Sequence, residues 1–96
     1  MNIQIIGDNF NLSPRIKKMV DDKVGHHLDR LLTNFDPEIK FAYLHIYKDK
    51  LKNFDLKFEI NLPGKKHIFA QTTHKFLKSA LIDLTQEVEK QIERFR

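Results

Sequence analysis

Residues 39–62 read IKFAYLHIYKDKLKNFDLKFEINL, and this stretch decides the fold. Its second half alternates strictly, with an apolar residue at every even position from Phe54 to Leu62 and polar residues between them. A period of two predicts a strand that is buried on one side. The first half also alternates, but both of its faces carry apolar or aromatic residues. One face holds Ala42, Leu44 and Ile46, and the other holds Phe41, Tyr43, His45 and Tyr47. We therefore expect two long strands joined by a lysine-rich turn.

The segment before this hairpin predicts a strand followed by a helix. Residues 2–6 form a short strand, and Ser13-Pro14 begins a helix with a serine N-cap and a proline at the first helical position. Apolar residues then recur with a helical period to about Thr33. These are Ile16, Met19, Val20, Val24, Leu28, Leu31 and Leu32. The segment Asn34-Phe35-Asp36-Pro37 breaks the helix before the hairpin.

The segment after the hairpin predicts one more strand and one more helix. Pro63-Gly64 forms a tight turn into a strand over residues 66–72. A helix of roughly 20 residues follows from about His74, because its apolar residues fall within about 80° of one another on a helical wheel. That stripe consists of Leu77, Leu81, Leu84, Val88, Ile92 and Phe95.

The order of these elements, β-α-β-β-β-α, predicts an α+β fold. Two one-sided helices and a four-stranded sheet pack most simply as a two-layer sandwich, with both helices on one face of the sheet. We expect residues 1–96 to form a single domain. The other sheet face is then left open to solvent and carries an aromatic row.

Composition excludes several classes of protein. The chain has no cysteine and a formal net charge of +4 at pH 7, and it has no long apolar run. We therefore expect a cytoplasmic domain with no membrane span and no disulfide. The glycines stand alone and the histidines lack metal-ligand spacing, so no cofactor, metal, small-molecule substrate or enzymatic activity is expected.

Positive charge is concentrated in two places. Residues 60–82 contain no acidic residue but contain Lys65, Lys66, Lys75 and Lys78. Lysines in the first turn of the last helix oppose its dipole, which a bound phosphate would compensate; the alternative is that they are simply solvated. On the first helix, a wheel places Arg15, Lys23, His26 and Arg30 within about 80° of one another, either as an anion-binding strip or as an ordinary solvated face.

The aromatic row on the open sheet face allows two interpretations. Tyr43, Tyr47 and Phe69 could stack on nucleic-acid bases, or they could form an interface with another protein chain. The second interpretation predicts a homodimeric interaction module.

The chain resembles the ribosome hibernation-promoting factors, also called ribosome-associated inhibitor or sigma-54 modulation proteins. The first strand ends in Gly7-Asp8-Asn9, and Leu12-Ser13 opens a basic helix. The helix continues with the family's apolar spacing, the third meandering strand contains Ile68-x-Ala70, and the last helix contains Glu89-Lys90-Gln91-Ile92. The resemblance covers essentially the whole chain.

This resemblance implies a function as well as a fold. Members of the family bind the small ribosomal subunit in the channel used by mRNA and tRNA, and they inhibit translation through basic helix residues on rRNA phosphates. It implies that Lys23, His26, Arg30, Lys75, Lys78, Lys90 and Arg94 face rRNA. It also implies a short form without the C-terminal domain that pairs two ribosomes. The chain departs from the family where an Asp-x-Tyr element is usual, because Phe76 and Lys78 stand at those positions.

Overall fold

A four-stranded sheet forms one layer of the protein. The computed structural model describes residues 2–32, 41–62 and 66–94. The strands are β1 (Asn2–Asp8), β2 (Phe41–Lys48), β3 (Phe54–Leu62) and β4 (Lys66–His74), and they lie in the order β1-β2-β3-β4. β1 runs parallel to β2, whereas β2, β3 and β4 form an antiparallel meander. The parallel pair requires a crossover, which the first helix provides.

Two helices form the other layer. The first helix consists of α1 (Pro14–Val20), a π-helical segment (Asp21–Gly25) and α2 (His26–Leu31), and the last helix is α3 (Leu77–Glu93). α3 packs on β3 and β4, and the first helix packs beside α3. The two-layer α+β sandwich predicted from the sequence is therefore confirmed.

The core fills the space between these layers. Ala42, Leu44 and Ile46 of β2 and the even-numbered residues of β3 point into it, as the alternation predicted, and both helices contribute a buried stripe. The most completely buried side chains include Leu28, Leu32, Leu44, Ile46, Leu56, Phe58, Ile60, Ile68, Leu81, Leu84 and Ile92. The odd-numbered residues of β2 remain on the open face.

The π-helical segment is a departure from the predicted continuous α-helix. The buried positions Val20, Val24, Leu28 and Leu32 are spaced by four residues, and each is at most 1% exposed. In an α-helix a four-residue step rotates the side chain by about 40°, so such a series would drift off the core. A π turn contains more residues than an α turn, so it offsets this accumulated rotation. The four residues therefore stay on the same face of the helix.

Gly25 lies in this turn with a helical backbone, φ −59° and ψ −54°. A Cβ atom at this position would lie 2.9 Å from Oδ1 of Asp21, which is the end of an exposed side chain that can move aside. Neither the backbone conformation nor a rigid neighbour therefore requires glycine at this position.

The junction between β4 and α3 also differs from the prediction. β4 continues to His74, which pairs with Phe54, and α3 begins only at Leu77. Lys75 therefore precedes the last helix instead of lying in its first turn, because Phe76 keeps an extended backbone and serves as the N-cap. The predicted breaks at residues 34–37 and 63–64, and the site residue Lys65, lie outside the described residues.

Candidate RNA-binding surface

One end of the sheet collects segments that are distant in sequence. Asp8 at the end of β1 pairs with Tyr47, Lys48 pairs with Phe54, and Phe54 pairs with His74. The β2–β3 hairpin, the start of the first helix and the start of α3 therefore lie at the same end. The rings of Phe10 and Phe54 pack edge to face there, with their centroids 5.9 Å apart. We call this region, with the exposed residues Arg15, Lys50, Lys52, Lys75 and Lys78, the cationic end.

Both helices direct their N-terminal ends to the cationic end. Ser13 begins α1 by accepting a hydrogen bond from the Ile16 amide at 3.2 Å, and Phe76 begins α3 without a side-chain cap. Neither first turn contains an acidic residue. The partial positive charge of two helix termini therefore adds to that of the side chains.

The hairpin at the cationic end is held by its own aspartate. Oδ1 of Asp49 accepts hydrogen bonds from the amides of Leu51 and Asn53, both at 2.9 Å. Lys52 adopts a φ of 64°, in the left-handed region. The carboxylate of this turn is thus engaged with backbone amides, whereas Lys50 and Lys52 extend into solvent.

The π-helical segment separates two basic residues, His26 and Lys23, that the helical wheel placed together. Nε2 of His26 lies 3.5 Å from Oδ2 of Asp21, which borders a cleft against β1. Lys23 instead borders the groove between the first helix and α3. The predicted strip is therefore divided between two flanks of the helix, because the extra residue of the π turn shifts the angles that follow it.

The groove between the helices brings together residues of both. It is lined by Lys23, His27, Ile82, Thr85, Gln86 and Glu89. Nε2 of His27 lies 3.4 Å from Oε2 of Glu89, and Nη2 of Arg30 lies 3.3 Å from Nδ1 of His27. The Thr85 hydroxyl donates to the Leu81 carbonyl at 2.8 Å. Of the predicted set, Lys23 thus lines this groove, whereas Arg30 is linked to it through His27.

The cations of α3 are spread along its length. Lys78 lies in the first turn and Lys90 in the last, about 18 Å apart along the axis and about 120° apart around it. Arg94 follows directly after the helix and is exposed. Lys78 therefore belongs to the cationic end, whereas Lys90 and Arg94 lie near the opposite end of the molecule.

The last turns of α3 are fastened to the sheet edge by Gln91. Its Oε1 accepts a hydrogen bond from the Phe69 amide at 3.2 Å, and its Nε2 donates to the Phe69 carbonyl at 2.6 Å. The side-chain amide thus binds the outer edge of β4 as a neighbouring strand would. We call this pair of bonds the Gln91 clamp.

Each of the five histidines lies beside a carboxylate. His26, His27, His45, His67 and His74 lie beside Asp21, Glu89, Asp8, Glu59 and Asp83, respectively. Among the residues whose side chains are described, no salt bridge joins a lysine to a carboxylate.

The open sheet face has the opposite character. Four of its apolar side chains are well exposed: Ile6 at 50%, Phe41 at 49%, Tyr43 at 42% and Phe69 at 45%. Tyr47 is half-buried. The face also carries three carboxylates, Asp8, Asp55 and Glu59, and one lysine, Lys57. Because the described carboxylates outnumber the lysine on this face, its charge does not favour the binding of a polyanion.

Neither a metal centre nor a membrane span is assigned to the described part of the chain. Asp21, Asp22 and His26 bring three potential ligand atoms within 4.8 Å of one another, but all three residues are exposed and no further feature indicates an ion. None of the helices in the described ranges has the length and apolar content needed to cross a bilayer.

Sequence reasoning missed His27, Lys50 and Lys52. The two hairpin lysines were visible as a charged turn, but their neighbours depend on strand register. His27 was not among the predicted site residues, because a wheel for an uninterrupted α-helix does not indicate that this residue faces the last helix. The side chain of Lys66 is not described, although its backbone begins β4.

Comparison with known proteins gives consistent results for the whole chain. The chain resembles the Thermus thermophilus Protein Y N-terminal domain, with a TM-score of 0.81, 27% identity and 100% coverage of each chain. A ribosomal subunit interface protein from Coxiella burnetii shares the fold, with a TM-score of 0.76, 22% identity and coverage of 99% of this chain and 97% of that one. The family model described as sigma 54 modulation protein / S30EA ribosomal protein matches residues 3–96. Because this match spans nearly all of the sequence, the chain belongs to the sigma 54 modulation protein / S30EA ribosomal protein family.

Proposed function

We propose that this protein is a ribosome-associated translation inhibitor, or hibernation factor, of the cytoplasm. It binds rRNA of the small subunit in the channel used by mRNA and tRNA, and it acts by occupying that channel rather than by catalysis. Family membership supports the ribosome as the partner, and the names of the structural neighbours, Protein Y and ribosomal subunit interface protein, point to the same partner.

The observation that carries this proposal is the cationic end. Five lysine and arginine side chains, two helix N-termini and no first-turn carboxylate converge on one end of the molecule. Phosphates of an RNA backbone are the ligand class that such a surface favours, because amides and cations can both contact them. Arg30 and Lys23 add positive charge on the first helix, whereas Lys90 and Arg94 on the last helix are interleaved with Glu87, Glu89 and Glu93.

The distance between the basic residues is consistent with binding to RNA. The cationic end and the far cations of α3 are separated by about 18 Å, a span that covers several nucleotides of a folded RNA. The open sheet face, with its three carboxylates, would face away from the RNA. Binding through one face excludes mRNA and tRNA from the channel by volume as well as by charge.

Charge reversal at the cationic end tests the proposal. Lys75→Glu combined with Lys78→Glu should weaken ribosome binding and reduce the salt slope of the affinity by about two. For the unaltered protein, neutralisation of about six phosphates predicts a loss of affinity of about 10³-fold between 50 and 200 mM salt. Binding is measured by co-sedimentation with ribosomes at several salt concentrations.

A matched control uses the only lysine described on the open sheet face. Lys57→Glu makes the same charge change as Lys78→Glu alone but should leave ribosome affinity nearly unchanged. Ribosomes already filled with mRNA and tRNA should bind the protein poorly. Equal weakening by both single variants, or undiminished binding to filled ribosomes, would contradict the proposal.

A second candidate function is a homodimeric interaction module that uses the open sheet face. The exposure of Ile6, Phe41, Tyr43 and Phe69 favours it, since contiguous exposed apolar side chains usually mark an interface.

A further inference from the structure

We propose that the groove between the two helices is a phosphodiester-binding notch, in which the Glu89 carboxylate occupies the anion position until an RNA phosphate displaces it. This inference rests on the proposed function and assigns Glu89 an inhibitory role within it. The ligand class is a phosphate of the RNA backbone, and the residues that would hold it are Lys23 and His27, with Arg30 positioning the His27 ring.

A chain of hydrogen bonds defines the state of the notch without RNA. Arginine can only donate, so Nδ1 of His27 accepts from Nη2 of Arg30 at 3.3 Å. The tautomer that accepts at Nδ1 has its proton on Nε2, which can donate to Oε2 of Glu89 at 3.4 Å. Two successive hydrogen bonds thus connect a cation on the first helix, Arg30, through His27 to an anion on α3, Glu89.

The position of the Glu89 carboxylate is one that an external anion could take. Among the described lining residues, Glu89 is the one carboxylate, and Lys23 also lines the groove. A phosphate oxygen is a negatively charged acceptor like a carboxylate oxygen, and it can accept from Nε2 of His27 in the same way. The other described lining residues on α3, Ile82, Thr85 and Gln86, are uncharged.

The His27–Glu89 pair differs from the other histidine–carboxylate pairs in its solvent exposure and in its location. Its side chains are 33% and 37% exposed, which makes it the least exposed of the five pairs between described residues. It is also the pair that joins the first helix to α3, whereas the others lie within a helix, within the sheet or at the β4–α3 junction. Solvent screens the charges of a partly buried pair less than those of an exposed pair. The competition between the Glu89 carboxylate and an RNA phosphate for His27 should therefore have a measurable effect on ribosome affinity.

Removal of the Glu89 charge provides the test. Glu89→Gln should tighten ribosome binding by about fivefold, because an RNA phosphate no longer has to displace an anion. Gln keeps an oxygen that can accept from His27, so the fold is preserved, and thermal unfolding checks this. The matched control is Glu93→Gln, one turn later on α3 and exposed, which should tighten binding by less than about twofold through general electrostatics.

A double-mutant cycle shows whether the effect passes through His27. In a His27→Ala background, the gain from Glu89→Gln should shrink to that of Glu93→Gln, because Glu89 then has no shared ligand to compete for. A Glu89→Gln variant that binds ribosomes no better than Glu93→Gln, or worse than the unaltered protein, would overturn the notch and leave the proposed function standing. A complete absence of ribosome binding in all variants and in the unaltered protein would overturn both.

Discussion

Ser13 and Phe76 begin the two helices in different ways, and the difference shows how single residues balance stability against binding. Ser13 supplies a side-chain oxygen to the first turn of α1. Phe76 has the extended backbone of an N-cap but supplies no hydrogen bond, and its side chain is 66% exposed. A capping residue at Phe76 would stabilise α3, but an acidic one would place a negative charge in the cationic end.

A pair of substitutions at this position separates the two effects. Phe76→Ser and Phe76→Asp should each raise the free energy of unfolding by about 1 kcal/mol, because each adds a side-chain acceptor for the first-turn amides. Urea denaturation measures this. Only Phe76→Asp should weaken ribosome binding, since only it adds a charge. Equal affinities of the two variants would show that the cationic end does not contact RNA.

Among the elements, the first helix shows most clearly what the sequence could and could not predict. Its start was predictable because Ser13-Pro14 is a local signal, and its buried stripe was predictable from apolar spacing. The π turn was not recognised, although the series Ile16, Val20, Val24, Leu28 and Leu32 repeats every four residues and not every 3.6. That strict spacing is the signal for the π turn, and a wheel for an uninterrupted α-helix therefore places His26 on the same strip as Lys23.

A deletion tests whether the π turn accommodates one extra residue. Removing Asp22, which is exposed, should convert the segment to α-helix while Val24, Leu28 and Leu32 stay in the core. The free energy of unfolding should therefore fall by only about 1 kcal/mol. Urea denaturation and circular dichroism measure the change.

The control for this deletion is a residue in an uninterrupted α-helix. Removing Gln86 from α3 rotates Val88 and Ile92 by about 100° away from the core, so the protein should be severely destabilised. If both deletions lower the free energy of unfolding by the same amount, the π turn does not accommodate an extra residue.

At the scale of the whole molecule, the two layers differ in charge and in exposed apolar surface. The helices carry seven lysine and arginine residues and seven aspartate and glutamate residues, whereas the described open sheet face combines exposed aromatic residues with three carboxylates and one lysine. The alternation of β2 was sufficient to predict the open face. The cationic end could not be predicted, because Lys50, Lys52, Lys75 and Arg15 become neighbours only through strand register and through the direction of both helices.

Substitutions on the open face distinguish the two candidate functions. Tyr43→Ser with Phe69→Ser should leave ribosome affinity within about twofold if RNA meets the helical layer. Analytical ultracentrifugation of the unaltered protein measures self-association, with Leu51→Ser as a control at an exposed apolar residue outside this face. A concentration-dependent dimer that the double substitution abolishes, without ribosome binding, would favour the interaction module instead.

The Gln91 clamp has a consequence for how copies of this protein could polymerise. A β-sheet grows into a fibre only if both of its edges can accept a further strand. The clamp occupies the amide and carbonyl of Phe69, which lie on the outer edge of β4. A strand from another copy could pair with β4 at this position only by displacing the Gln91 side chain, so one glutamine opposes open-ended assembly along this edge.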